Sequence, residues 1–356
     1  MRDLLERQGV RYCNSLGRGK ARFAQPLFRN KIAGANRQRM LNDFRRELNG
    51  PWHTLILSEE NLFHLREDSI RRFREICLDF TGRIDIYAYI RRPVEHFPSY
   101  YQQKVQGFHV QSSDEFLEYL IERGDYNVFA QLERWREAFG EGSVHAKLFD
   151  RRTMAATPTE DFLAWTGLAH LETAPPPVEE ANPSIDAVSA EALRYVVKFF
   201  MQRPESFSKE QVYAFRDAVT ACSSTRKLEI AAHQARRLDQ AVREDMERLA
   251  RTYFTEQEAE LLLRPVSASE VPPPSLDEVI QRTAEALAPG VDFSAALNVA
   301  GCDGLTATAS EEQRFRRFAA FLHDLLSSMP EPFGLSRRIR DQQGAKLEKR
   351  RRKRAG

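Results

Sequence analysis

Arg91 and Ser99, eight positions apart, are the residues whose types and spacing first suggest chemistry. Residues 84–90 form a β-branched and aromatic run, the pattern of a buried strand. Pro93 ends that strand, because proline has no N–H for the ladder, and it suits the first position of a helix. Arg91 and Arg92 are therefore expected at the carboxyl end of a strand, where open α/β sheets bind ligands. Ser99 falls about two turns into the following helix. A guanidinium at a strand tip and a helical hydroxyl can close on one phosphate from two sides. The plain alternative is a solvated strand end.

The elements that position these residues follow in chain order. A short amphipathic helix, 2–8, stops at Gly9, and residues 10–13 read as a short strand. In the loop 14–36, Gly17-Arg18-Gly19-Lys20 has a faint likeness to a phosphate loop, but Asn14 and Ala21 stand where that loop needs Gly and Ser or Thr. A helix is expected over 37–48 and a strand over 52–57. Ser58 is expected to cap the next helix, with Glu60 and Asn61 in its first turn and Leu62, Leu65, Ile70, Phe73, Ile76, Cys77 and Phe80 on its apolar face. Further helices are expected to Ile121, over 128–139 with Gly140 as C-cap, and over 161–168. A strand is expected over 144–149. The β-α-β-α order predicts an α/β fold, a parallel sheet flanked by helices. Beyond a proline-rich linker, 173–183, the pattern is helical over 186–202, 208–221 and 227–262.

These shifts predict four parts: an α/β core over 1–172, a helical part over 173–262, a small helical region over 263–333 and a basic disordered tail over 334–356. The formal net charge is +2, but residues 334–356 hold ten Lys/Arg against Asp341 and Glu348. The rest of the chain therefore carries a net −6. An acidic body argues against nucleic-acid recognition by the fold itself. The tail remains a candidate for weak contact with nucleic acid or another anionic surface. No apolar run approaches a membrane span, and no signal peptide is evident. The four scattered cysteines show no metal spacing and read as reduced thiols, so a cytoplasmic location without a bound metal is expected.

Arg91-x-Pro93, then Ser99 and Tyr100, resembles the 3′-phosphate-binding segment of the bacterial sulfotransferases. Those enzymes use 3′-phosphoadenosine 5′-phosphosulfate (PAPS) as donor. Three further segments are similar to the same family. They are Leu55-Ile56-Leu57-Ser58-Glu59, the Tyr126-Asn127 to Leu132, Trp135 and Phe139-Gly140 helix with its following strand and Phe162-Leu163, and Asn182-Pro183-Ser184 before Ser189-Ala190-Glu191. The resemblance covers residues 1–262 in order. It implies a P-loop-type sulfotransferase fold, with Arg91 and Ser99 on the donor's 3′-phosphate. Glu59, with Glu60 second, would be the base for an acceptor hydroxyl on a carbohydrate or small molecule. The alternative for Glu59 is a carboxylate that stabilises a helix N-terminus.

The chain departs from the family at its beginning. No Lys-x-Gly-Thr-Thr loop is present, and Met1 falls where the helix after that loop should be under way. The strand that is normally central is thus expected to be missing. Two readings follow: a sulfotransferase whose true start lies upstream, or a catalytically inactive relative that binds a nucleotide or a partner.

Overall fold

The computed structural model describes residues 2–17, 21–154, 157–171, 184–202, 209–224, 226–266, 272–287 and 310–328. Helices dominate. The described strands form two small parallel sheets of two strands each, not the single sheet expected from the β-α-β-α order. Residues 182–183, the proline-rich linker and the basic tail lie outside the described residues. The chain divides into two compact units. The first comprises Met1–Pro93, Leu120–Glu179 and Leu238–Val266, and the second Val94–Tyr119, Glu180–Arg237 and Ser267–Gly356.

In the first unit, helix α1 (Arg2–Arg7) turns at Gly9 into strand β1 (Val10–Tyr12). Gly9 sits at φ +75°, and a Cβ there would meet the His53 ring at 2.6 Å, so glycine is required twice over. β1 leads through α2 (Ala24–Phe28) and α3 (Gly34–Leu48) to β2 (Thr54–Ile56), which pairs with it in parallel, Val10 opposite Thr54. After β2 the continuous helix expected from Ser58 does not form. Glu59, not Ser58, caps a single 3₁₀ turn over Glu60–Leu62, and α4 (Glu67–Leu78) starts afresh after extended Arg66. Leu62 and Leu65 are both buried, so the intervening turn is spent on docking the chain rather than on helix.

Strand β3 (Ile86–Ile90) pairs in parallel with β4 (Val144–Leu148), Ile86 opposite Val144. Before β4, α7 (Val128–Phe139) ends at Gly140, whose N–H bonds Arg136 and whose φ is +95°, as the C-cap reading requires. Its N-terminus is capped by a distant residue: Asp245 accepts from the Phe129 and Ala130 N–H groups at 2.8 and 3.2 Å. After β4, α8 (Pro158–Trp165) opens with a Thr157/Glu160 capping box.

Two apolar clusters hold these layers. Phe73 of α4 contacts the rings of Phe28, Trp135 and Phe139 at 4.9, 6.0 and 6.0 Å, joining α2, α4 and α7. Burying one such ring contributes about 2–3 kcal/mol. On α8, Leu163 and Phe162 pack with Leu5, Val10 and Ile56, while Phe162 and Trp165 meet Tyr87 edge-on at 6.4 and 5.0 Å. One helix therefore covers a strand pair at each side, β1–β2 and β3–β4.

The helix expected over 227–262 is two: α11 (Ala232–Tyr253) and α12 (Glu256–Leu263). Thr255 and Glu258 form a capping box that restarts the chain, a local signal stronger than the continuing apolar spacing. In the second unit, α5 (Pro93–Gln106) and α6 (Ser113–Glu122) precede α9 (Ala187–Met201) and α10 (Lys209–Cys222). Helices α13 (Leu276–Leu287) and α14 (Glu311–Ser328) pack on α9, burying Ile280, Phe318 and Leu322. Arg194 of α9 is buried and bridges Glu191 on its own helix to Glu311 of α14, at 2.6 Å for the latter. Leu276–Leu287 and Glu311–Ser328 thus pack with α9 within the second unit.

Candidate functional site

The carboxyl ends of β2 and β3 carry the two charge types that the sequence singled out. After β2, the Glu59 Oε1 accepts from the Asn61 N–H at 3.2 Å and from the Asn61 amide at 2.5 Å. Its other oxygen, Oε2, is shielded from solvent and has no hydrogen-bond partner among the described residues. Glu59 therefore caps a helical turn with one oxygen and keeps the second available. Glu60 is exposed on that turn. The loop leaving β1 is tied to the same edge, since the Ala21 N–H donates to the Ser58 carbonyl at 3.0 Å.

After β3 the paired arginines part. Arg91 is exposed. Arg92 is buried, its Nε donating to the Leu262 carbonyl at 3.1 Å and its Nη2 to the Arg264 carbonyl at 2.6 Å. Arg92 thus satisfies the C-terminus of α12, whose last carbonyls have no partner within the helix. Arg91 belongs to the first unit and Ser99 to the second. Ser99, on α5, is exposed and donates its hydroxyl to the His96 carbonyl at 2.9 Å, one turn back.

The loop after β1 holds an anion already, supplied by the chain. Glu47 of α3 is 7 % exposed. Its carboxylate accepts from the Asn14 N–H at 2.8 Å, the Ser15 N–H at 2.9 Å, the Ser15 hydroxyl at 2.6 Å and Arg11 Nε at 2.9 Å. Burial pushes this carboxyl up, but the bonds from Ser15, Asn14 and Arg11 outweigh it and hold the group below its usual range. The N–H groups at 14 and 15 are thereby spent. The Gly17–Lys20 segment cannot recruit them for a phosphate, and residues 18–20 lie outside the described set.

A second polar group lies on the face of β3 and β4 under α8. The Tyr89 hydroxyl donates to Asp161 Oδ2 at 2.5 Å, and Lys147 Nζ to Oδ1 at 2.7 Å. His145 stacks on Tyr87 at 4.7 Å. Burial and then the neighbouring Asp161 push the Tyr89 hydroxyl up, so it stays protonated and a donor. Sequence reasoning missed both Glu47 and Asp161. The signal for Asp161 was the period-two alternation that puts Tyr87, Tyr89, His145 and Lys147 on one face, where a covering helix must supply the acid.

Among the described residues no group of His, Cys, Asp or Glu could hold a metal ion, and no helix is long and apolar enough to cross a membrane. Comparison with models of known families, with curated proteins and with solved structures finds no match to this chain.

Proposed function

We propose that this chain carries part of a sulfuryl-transfer site that uses 3′-phosphoadenosine 5′-phosphosulfate as donor and a hydroxyl of a carbohydrate or small molecule as acceptor. One observation carries the reading. The described strands stand as two pairs, β1–β2 and β3–β4, each parallel, and a single helix, α8, packs on both. A central parallel strand bearing a phosphate-binding loop would complete such a sheet, as the resemblance implies.

In this reading Arg91 takes the donor's 3′-phosphate, the role the resemblance implies for it. The acceptor oxygen forms its bond to sulfur while the sulfur–phosphate oxygen bond breaks. The hydroxyl proton passes to Glu59, whose Oε2 has no hydrogen bond within the described protein. Glu60, exposed on the same turn, is the second candidate base. The leaving group is 3′,5′-adenosine bisphosphate, and its charge is stabilised by cations rather than by covalent chemistry.

Calorimetric titration of the protein from its native source with 3′,5′-adenosine bisphosphate tests the assignment. Binding that Arg91→Ala weakens at least tenfold supports it, and binding unchanged by that substitution refutes it. Binding without transfer to any hydroxyl acceptor would select the catalytically inactive reading.

A further inference from the structure

Within the second unit, a groove of about 540 Å³ runs between the last turn of α9 and one flank of α14. Small-molecule sites commonly occupy ~300–1,000 Å³. The pattern of α14 makes the hollow. Phe315, Phe318, Leu322 and Leu325 recur at helical spacing and are buried, which fixes the face turned to the core. The flank beside that face carries long polar side chains at its two ends, Glu312 and Arg316 before and His323 and Asp324 after. Between them stand Ala319 and Ala320, where nothing longer than a methyl group reaches out. Across the groove α9 offers Lys198 and, one turn on, Gln202.

The two helices that form the walls are tied together. Arg194 and Tyr195 of α9 both donate to the Glu311 carboxylate at the start of α14, at 2.6 and 3.0 Å. The Tyr195 ring also meets Phe315 and Phe318, at 5.9 and 5.2 Å. The groove is therefore set by packed helices rather than by a loop.

Most charges along it are already answered. Arg316 pairs with Glu312 at 3.1 Å, and His323 Nδ1 lies 3.4 Å from Asp324. Lys198 differs. Its ammonium lies over the Phe315 ring, 4.6 Å from the centroid, which keeps it at the wall of the groove. It has no hydrogen-bond or ion-pair partner among the described residues. Glu115 of α6 feels the Lys198 charge, but that carboxylate is held by the Ser112 N–H at 2.7 Å. The Gln202 side-chain amide likewise has no partner among the described residues. An ammonium and an amide with unspent donors thus face a floor of Phe315, Ala319 and Ala320.

We propose that the groove between α9 and α14 binds an apolar carboxylate. Its oxygens take the Lys198 ammonium and the Gln202 amide, and its hydrocarbon or aromatic body lies over the two alanines. The site is independent of the donor reading, because it shares no residue with Arg91, Ser99 or Glu59.

The probe is 2-naphthoate, titrated calorimetrically into the full chain, with neutral 2-naphthamide as its isosteric control. The wild type should bind 2-naphthoate saturably, and the amide at least tenfold more weakly. Lys198→Met should weaken 2-naphthoate binding about tenfold, the effect of losing one charge-assisted bond. Lys198→Arg, which keeps the charge, should retain most of the affinity. Ala320→Leu fills the hollow from an exposed position, so it should abolish binding of both probes without changing the melting temperature. The proposal is overturned if 2-naphthoate shows no saturable binding in the millimolar range, or if amide and carboxylate bind equally. Binding unchanged in either Lys198→Met or Ala320→Leu also overturns it.

Discussion

Replacing Glu47 by alanine should cost this protein about 3–5 kcal/mol, a large share of the 5–15 kcal/mol that holds a typical domain together. The figure follows from what is left behind. The N–H groups of Asn14 and Ser15 lose their acceptor, at about 1–3 kcal/mol each when shielded from water. The Ser15 hydroxyl can rotate elsewhere, and Arg11 keeps Glu6 and a stack over Trp52, so both are discounted. Glu47→Gln keeps one acceptor oxygen but turns an amide donor toward other donors, and should cost about half as much. Urea denaturation at neutral pH reads both numbers by linear extrapolation. The sign of the pH dependence is also fixed. The folded carboxyl titrates below its ordinary value of 4.5, so its stabilisation is complete above that pH and is lost as pH falls through the lower, folded value. The stability gap between wild type and Glu47→Gln should therefore narrow as pH drops from about 5 toward 3. A loss below about 1 kcal/mol for alanine, or a gap that widens in acid, would refute the picture of a carboxylate nest.

Two further outcomes test the structural reading. Arg92→Ala should lower stability by about 3 kcal/mol, because the two carbonyls at the end of α12 lose a buried charged donor. Arg91→Ala, at an exposed position, should stay within about 0.5 kcal/mol in the same thermal melt, and equal losses would erase the distinction between the neighbours. In a Cys302→Ser background, Cys222 should react quickly with a thiol reagent, while Cys13 and Cys77 wait for unfolding. Burial, aided by the nearby Glu47 carboxylate, pushes the Cys13 thiol up to about 11, and burial with Cys13 itself pushes Cys77 up to about 12. Rapid labelling of more than one thiol in native protein would contradict this.

What the sequence revealed of the fold followed the range of the interaction. Strand cores such as 86–90, the Gly9 and Gly140 stops and the apolar face of α4 rest on local preference and periodicity, and they are found where expected. The helix expected across 227–262 breaks at Thr255 because a local capping box outranks a periodic stripe. Glu59 takes the capping role expected of Ser58 for a similar reason: its longer side chain reaches forward to the Asn61 N–H. Other features were illegible because they are made by residues far apart in sequence. Nothing near Phe129 announces that Asp245 will cap its helix, and nothing near Arg92 announces the end of α12.

The same distinction separates Arg91 from Arg92 at the candidate site. As neighbours after a strand they are equivalent by type and spacing, and only the position of α12 decides which is withdrawn from solvent. Burial of Arg92 makes it worth several hydrogen bonds to the fold but removes it from any ligand. Arg91, by contrast, is exposed. A charged residue exposed at the carboxyl end of a strand is placed where recognition of an anion can act. That reasoning extends to Glu59. One oxygen repays its position by capping a turn, and the second, shielded and without a hydrogen bond, is a burden on the fold that a ligand's hydroxyl proton would relieve.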